Sequence, residues 1–274
     1  MSAGTAGISR ARDYPVLRHA IPQLSLERQR YRVDFARGPR DLDEVQRMRF
    51  EVFNLELGEG LQNSFLTGKD QDDYDLNCHH LRVIDTATDR VVGTYRLQTS
   101  VMAARHKGFY SSDEFDLSAL PGWMIESSVE VGRACVTREH RNRQALFMLW
   151  QGLAAYMTKN KKRFLFGCCS LNTQNPKVGR DTLAYLEQKG FMREDLRVVP
   201  RPGHECPDAT DANGEPEPVV LPGLFRSYLR FGGRVCGPPA IDRSFKTIDF
   251  FVVFDIRQMD RRAYEMFFGR GARS

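Results

Sequence analysis

The spacing of apolar residues changes period once near the middle of the chain, and the change marks the segment around which the rest is arranged: SSVEVGRACVTREHRNRQALFMLWQGLAAYMTK, Ser127 to Lys159. Val129 to Val136 is short, β-branched and apolar at intervals, which predicts a buried strand. From Leu146 the apolar residues Leu149, Trp150, Leu153 and Tyr156 recur at i+3, i+4, i+7 and i+10, the stripe of a helix that packs on a sheet. A polar turn with Arg138, Arg141 and Arg143 joins the two. The first N–H groups of a helix lack intrahelical partners and the macrodipole is positive there, so strand, basic turn and helix together form a junction suited to a phosphate.

The flanking patterns extend this to a fold. Tyr31 to Phe35 alternates as a first strand, and Asp41-Leu-Asp-Glu44 starts a helix that runs through Val45, Met48, Val52 and Phe53. Leu81 to Asp85 and Val91 to Thr99 form a hairpin turning at Thr88 to Arg90. Phe164 to Ser170 is a compact apolar strand, so the central helix is the crossover of a β-α-β unit. A helix over Asp181 to Gln188, a Pro- and Gly-rich loop over Pro200 to Pro222 and a helix in FRSYLRFG come next. Ile248 to Ile256, the most strand-like run, and an amphipathic Arg261 to Phe268 complete the chain. The expectation is an α/β protein, not doubly wound, with a mixed sheet flanked by helices. Residues 1–28 read as a flexible basic tail and 29–274 as one domain.

Composition narrows the class. Hydrophobic content of 41% and charged content of 27% are those of a globular protein, and no apolar run approaches the roughly 18 residues of a spanning helix. The N-terminus lacks the apolar core of a signal peptide, so a cytoplasmic protein is expected. Forty basic against thirty-five acidic residues give +5, a mild excess that suits an acidic partner or the inner membrane surface. No nucleic-acid motif is present, and the aromatics are not interleaved with the basic clusters. The six cysteines form no Cys-x-x-Cys pair; Cys168 and Cys169 read as packing residues, Cys78-His79-His80 as the start of a strand, and no metal is expected.

The candidate chemistry lies in charges at unusual places. Asp70, Asp72 and Asp75 precede a strand; three carboxylates so close repel unless a substrate ammonium or nearby arginines offset them. Arg96 lies within a strand, and Glu130 and Arg133 within another. Three residues apart, Glu130 and Arg133 face opposite ways in an ideal strand, but a bulge at Gly132 would bring them to one face and free a backbone N–H for a carbonyl oxygen. A surface ion pair on an edge strand accounts for the same spacing. A site with both acids and arginines can grip a zwitterion by its two ends.

These motifs, Asp70-x-Asp72-x-x-Asp75, Gly93-Thr-Tyr-Arg96-Leu and Glu130-Val-Gly-Arg133, resemble those shared by acyl-homoserine-lactone synthases and their relatives, of the GCN5-related N-acyltransferase fold. VEVGRACVTREHR, RFLFGCCSL and LFRSYLRFGGRVCGPPAIDRSFKTIDFFVVFDI resemble most the ornithine-acyl-carrier-protein N-acyltransferases, over about Tyr31 to Phe268. The resemblance implies a splayed mixed sheet and transfer of a 3-hydroxyacyl group from acyl carrier protein to the α-amine of ornithine, the first step of ornithine lipid synthesis. The donor's phosphopantetheine would lie along Val136, Arg138, Arg141, Arg143, Gln144 and Ala145, with no separate cofactor. Two departures stand out. His140 to Ala145 has no glycine where the wider superfamily has its coenzyme A loop, and Phe53 to Gly58 lacks the lactone synthases' tryptophan.

On this reading Glu130 takes a proton from the ammonium, Arg96 and Arg133 hold the substrate carboxylate or orient Glu130, and Asp72 and Asp75, with Asp70 beside them, hold the amine end. Cys135 reads as packing rather than as an acyl carrier. The alternatives are acylation of another amino acid, a lactone-type synthase, or a non-catalytic module that binds acyl carrier protein or lipid.

Overall fold

In the computed structural model of the chain, residues 14–207 and 219–269 are described. Residues 1–13 of the expected tail and 208–218 of the expected loop lie outside them. In chain order the strands are β1 (Leu26–Arg28), β2 (Tyr31–Phe35), β3 (His79–Asp85), β4 (Arg90–Thr99), β5 (Phe115–Asp116), β6 (Ser128–Val136), β7 (Phe164–Leu171), β8 (Val199–Pro200), β9 (Arg234–Val235), β10 (Ala240–Asp242) and β11 (Thr247–Asp255). Helices of eight residues or more are α1 (Pro39–Phe50), α2 (Arg143–Lys159), α3 (Pro176–Gln188), α4 (Gly223–Arg230) and α5 (Arg261–Phe268). The chain divides into two compact units. The first holds residues up to Gly108, Val131–Lys162 and the end from Glu265; the second holds Phe109–Glu130 and Arg163–Tyr264.

In the first unit, β1, β2, β3 and β4 pair antiparallel in sequence order and β6 follows β4. The hairpin turns where expected, with Asp89 in left-handed backbone. Residues 14–28, expected as tail, begin with the buried Tyr14 and Ile21 and end in β1, which pairs Leu26 with Val33. α2 lays its stripe of Leu149, Trp150, Leu153 and Tyr156 inward. It comes so close to β3 that a Cβ on Gly152 would overlap the Leu81 side chain, so a side chain at 152 would force the buried Leu81 to repack. α1 starts with Pro39 at its first turn and buries Leu42, Val45 and Met48. The expected single helix then widens into a π-helical turn, Glu51–Glu56, which buries Val52 and Phe53. Trp150 stacks on Phe267 of α5 at 5.3 Å, so the aromatics of that terminal stretch serve packing.

In the second unit, β7 pairs with β11 antiparallel over eight residues, Phe164↔Asp255 to Leu171↔Ile248, and β10 and β9 pair with β11. The start of β6 pairs parallel with β7 over Ser128–Glu130 and Phe164–Phe166, the parallel step of the expected crossover. Every residue of β11 is buried. α3 begins five residues before the expected start because Asn175 caps the Lys177 N–H and Pro176 takes the first helical position. Mixed pairing with helices on the strands is the α/β class the sequence predicts. Among the described residues no helix is long and apolar enough to cross a membrane.

Candidate active site

The acidic run before β3 is folded around Arg49 of α1. Its guanidinium reaches Asp70 Oδ2 at 2.7 Å through Nε, and Asp75 through Nη1 and Nη2 at 3.0 and 2.8 Å. Arg96, from β4, donates to both oxygens of Asp72 at 2.6 Å and to Asp75 Oδ1 at 3.1 Å. Arg133, from β6, donates to Asp72 Oδ2 at 3.0 Å and lies 3.4 Å from Asp70 Oδ2. Gln46 also donates to Asp75, at 2.9 Å. Thus Asp70, Asp72, Asp75, Arg96 and Arg133 of the sequence analysis come together, and arginines supply the cations the three aspartates need.

Burial and charge set the state of this network. The Asp70 and Asp75 side chains are 0% and 1% exposed, against 13% for Asp72. Burial pushes Asp75 up, but the guanidiniums of Arg49 and Arg96 outweigh it and hold its carboxyl far below the usual range. Asp72 is likewise lowered, its burial overcome mainly by Arg96 and also by Arg133. His80 behind them is pushed down to about 4, chiefly by burial, so it stays neutral. Three guanidiniums against three carboxylates leave the cluster balanced, with Asp72 its most accessible member.

The backbone irregularity expected at Gly132 falls one residue later: Arg133 has φ 48°. A left-handed L-residue costs about 1–2 kcal/mol. The bonds from its guanidinium to the aspartates oppose that cost and hold this part of β6 in its unusual conformation.

Glu130, in the second unit, is the last residue of β6 in the parallel register, opposite Phe166. Its carboxylate accepts two backbone N–H groups of the turn Tyr110–Asp113: Tyr110 N to Oε2 at 2.9 Å and Ser111 N to Oε1 at 2.7 Å. Two fixed donors orient both oxygens of a side chain that is only 5% exposed.

At the basic turn, Val136 ends β6 and is buried, while Arg138, Arg141 and Arg143 are exposed. Arg141 folds back onto the Val136 carbonyl at 3.0 Å and pairs with Glu56 at 2.5 Å. The N–H groups of Gln144 and Ala145 are both taken by Asn142 Oδ1 at 3.0 Å. A phosphate at this junction therefore meets arginine side chains more readily than those two amides. Asn142 is itself held by Tyr31, its Nδ2 donating to the hydroxyl at 2.8 Å.

The sequence analysis missed Arg49, although its position carries a signal. It lies four residues after Val45 and seven after Leu42, inside the buried stripe of α1, where an unpaired charge is prohibitive. Cys135 is buried beside Met48 and burial raises its thiol, which agrees with packing. His79 bonds the Tyr156 hydroxyl and the Val16 carbonyl at 2.7 and 2.6 Å.

Comparison with known proteins adds the family context. The acetyltransferase (GNAT) domain family model matches residues 48–151. The L-ornithine N(alpha)-acyltransferase of Brucella abortus is 31% identical over 243 residues, covering 83% of this chain and 85% of the relative. That of Rhodobacter capsulatus is 31% identical over 247 residues, covering 86% and 94%. Among solved structures, FeeM, an N-acyl amino acid synthase from uncultured soil microbes, aligns with TM-score 0.48 and 10% identity over 84% of this chain and 95% of its own. The AHL synthase LasI gives 0.47 and 10% over 87% and 95%.

Proposed function

The chain belongs to the L-ornithine N(alpha)-acyltransferase family, and on that premise we propose that it joins a fatty acyl group from acyl carrier protein to the α-amine of ornithine, with Glu130 as the base. The observation that carries the assignment of the base is the pair of backbone donors, Tyr110 N–H and Ser111 N–H, that fix both carboxylate oxygens of Glu130. An ammonium is no nucleophile. Glu130 takes one proton from it, directly or through a water, and the freed amine attacks the thioester carbonyl. The C–N bond forms, the C–S bond breaks, a second proton passes from the nitrogen to the departing pantetheine thiolate, and Glu130 releases the first to solvent. Peptide N–H groups at Gly132 to Ala134, turned by the left-handed Arg133, would stabilise the oxyanion.

Roles within the arginine and aspartate cluster follow from exposure. Within the first unit Asp72, bonded by Arg96 and Arg133, is the member open to a polar ligand, while the buried Asp70, Asp75 and Arg49 act as positioning residues that hold the two arginines. Carrier protein as donor is supported by the exposed Arg138 and Arg143, which suit an acidic partner. No separate cofactor enters the reaction. The single-chain lipid product favours release at an anionic membrane face. Leu55, Phe65 and Leu66 are 61%, 52% and 86% exposed and supply apolar contact for it; flotation with anionic vesicles at low salt checks this, and a protein that stays at the bottom of the gradient removes the membrane from the proposal.

The deciding experiment is mass spectrometry of polar lipids from cells expressing the chain or its Glu130→Gln variant, joined to an assay with purified acyl carrier protein thioesters. An acyl-ornithine amide formed only with the intact residue is expected. Equal product from both proteins removes Glu130 from the mechanism.

A further inference from the structure

The second unit buries a set of acids that the chemistry above does not use. Glu114 follows the turn that holds Glu130, and Asp249 lies within β11; they are 2% and 3% exposed. One carboxylate oxygen of each and the Cys168 sulfur lie within 4.8 Å of one another. Around them are rings: Phe115 and Phe166 pack on Phe251, two residues along β11 from Asp249, at 5.6 and 5.5 Å. Acids in such surroundings are expensive unless something cationic, or a shared proton, sits with them.

One atom marks a ligand's place: Asp249 Oδ1 is buried without a hydrogen-bond partner. The rest of the Asp249 carboxyl meets Ser170, Glu114 and Thr247, the last on the same strand face and 0% exposed. Along β7, the part-exposed residues are Cys168 and Ser170, the register partners of Phe251 and Asp249. Electrostatics agree. Burial raises Asp249 and the nearby Asp242 raises it further; burial also raises the Cys168 thiol, with the charges of Glu114, Asp249 and Glu130 adding to it.

Ser111 joins this set to the base. Its N–H donates to Glu130 Oε1 at 2.7 Å, and its hydroxyl accepts from Cys168 Sγ at 3.6 Å. An amino acid whose α-amine meets Glu130 would therefore have the Glu114 and Asp249 carboxylates within a side chain's length.

We infer that Glu114 and Asp249 seat the side-chain ammonium of the acceptor, and so select an amino acid with a second cationic group over a neutral one of the same length. The inference rests on the acyltransferase reading above. An ammonium brings hydrogen-bond donors for Asp249 Oδ1 and the Thr247 hydroxyl, and its charge relieves two buried carboxylates.

The test compares ornithine, lysine and norvaline, the last being ornithine's carbon chain without the terminal amine, as acceptors with purified protein and 3-hydroxyacyl carrier protein. The intact protein is expected to favour ornithine over norvaline by about 100-fold or more in kcat/KM, since a site built for a polar group rejects the analogue lacking it. In Glu114→Gln and Asp249→Asn, each assayed separately, that ratio is expected to collapse toward one through a higher KM for ornithine. An unchanged ratio in both variants overturns the seat, as does an intact protein that acylates norvaline as readily as ornithine. A metal ion retained at one per chain and lost in Asp249→Asn also overturns it, in favour of a metal centre. A protein that acylates none of the three amino acids overturns the acyltransferase reading itself.

Discussion

Two charged regions of this chain are balanced in opposite ways. In the first unit, three arginines close on three aspartates, and the result is a set of carboxylates held low by adjacent guanidiniums. In the second unit, Glu130, Glu114, Asp242 and Asp249 gather, and Asp249 is raised. One strand shows the contrast at its two ends. β11 carries Asp255, gripped by both arms of Arg163 at 3.0 and 2.5 Å, and Asp249, which keeps a buried oxygen without a partner. A cluster neutralised from within is architecture, and here it holds Arg133 in left-handed backbone. A cluster whose balance waits for a proton or a cation is where proton transfer and ammonium binding are cheapest to build.

The largest effect expected of a single change lies at the base. Glu130→Gln keeps an acceptor for one of the two turn amides, turns an NH2 group to the other, and cannot take a proton, so amide formation should fall about 10²- to 10⁴-fold. Stability should show the contrast next. Arg49→Met leaves two buried aspartates short of a cation and should cost about 3–5 kcal/mol. Asp249→Asn removes a buried charge and should leave stability within about 1 kcal/mol of the parent, or above it. Urea denaturation midpoints measure both, and an Asp249→Asn loss as large as that of Arg49→Met breaks the distinction.

Acidity should separate the regions by sign. The depressed Asp72 and Asp75 contribute stability that is fully present above their unfolded value, about 4, and is lost as pH falls through their folded values. The deficit of Arg49→Met should therefore shrink below about pH 4. Asp249, raised in the fold, favours folding below about pH 4 and loses that contribution as pH rises through its folded value. Any advantage of Asp249→Asn should therefore appear only above about pH 4 and grow toward neutrality. His79, pushed down to about 4 by burial, destabilises every variant alike as pH falls from 6.5 and cancels in the differences; His80, lowered by burial and also by the Arg49 charge, is easier to protonate in Arg49→Met and so adds to the shrinking of that deficit at low pH. Melting temperatures from pH 3 to 8 test this, and parallel curves for the two variants refute it.

Much of this contrast could be read in the sequence, and the unread parts share a cause. The central strand, turn and helix, the hairpin and the last strand were visible because each keeps one hydrophobic period throughout. β1 was not, because LER has no period to keep and is a strand only through its pairing with β2. The aspartate motif and Glu130 stood out as charges in spacings that need explaining. Arg49 was hidden by the helix rule that allows arginine anywhere on a surface, and its place in the buried stripe was the overlooked signal. Asp249 was hidden by the very strength of the strand pattern around it: in IDFFVVFDI a single acid reads as noise until its neighbours across the sheet are known. Local spacing reveals which element a residue belongs to, but not which residues from distant segments share its surroundings.

The smallest effect expected comes from opening a place where the first unit satisfies itself. Asn142 takes the N–H groups of Gln144 and Ala145, which elsewhere at helix starts serve phosphates. Asn142→Gly should cost only a few tenths of a kcal/mol as a cap, plus the bond from Asn142 to Tyr31, and should leave two amides facing the turn. Coenzyme A presents a pyrophosphate there, carrier protein a single phosphate beside its own acidic surface. The variant's KM for acyl-coenzyme A should therefore drop about two- to fivefold, the worth of one helix-terminus charge interaction, with a smaller change for acyl carrier protein. If both donors gain equally, the amides face the shared phosphate and the arginines alone do not account for donor choice; if neither gains, the junction binds through Arg138 and Arg143 whatever caps the helix.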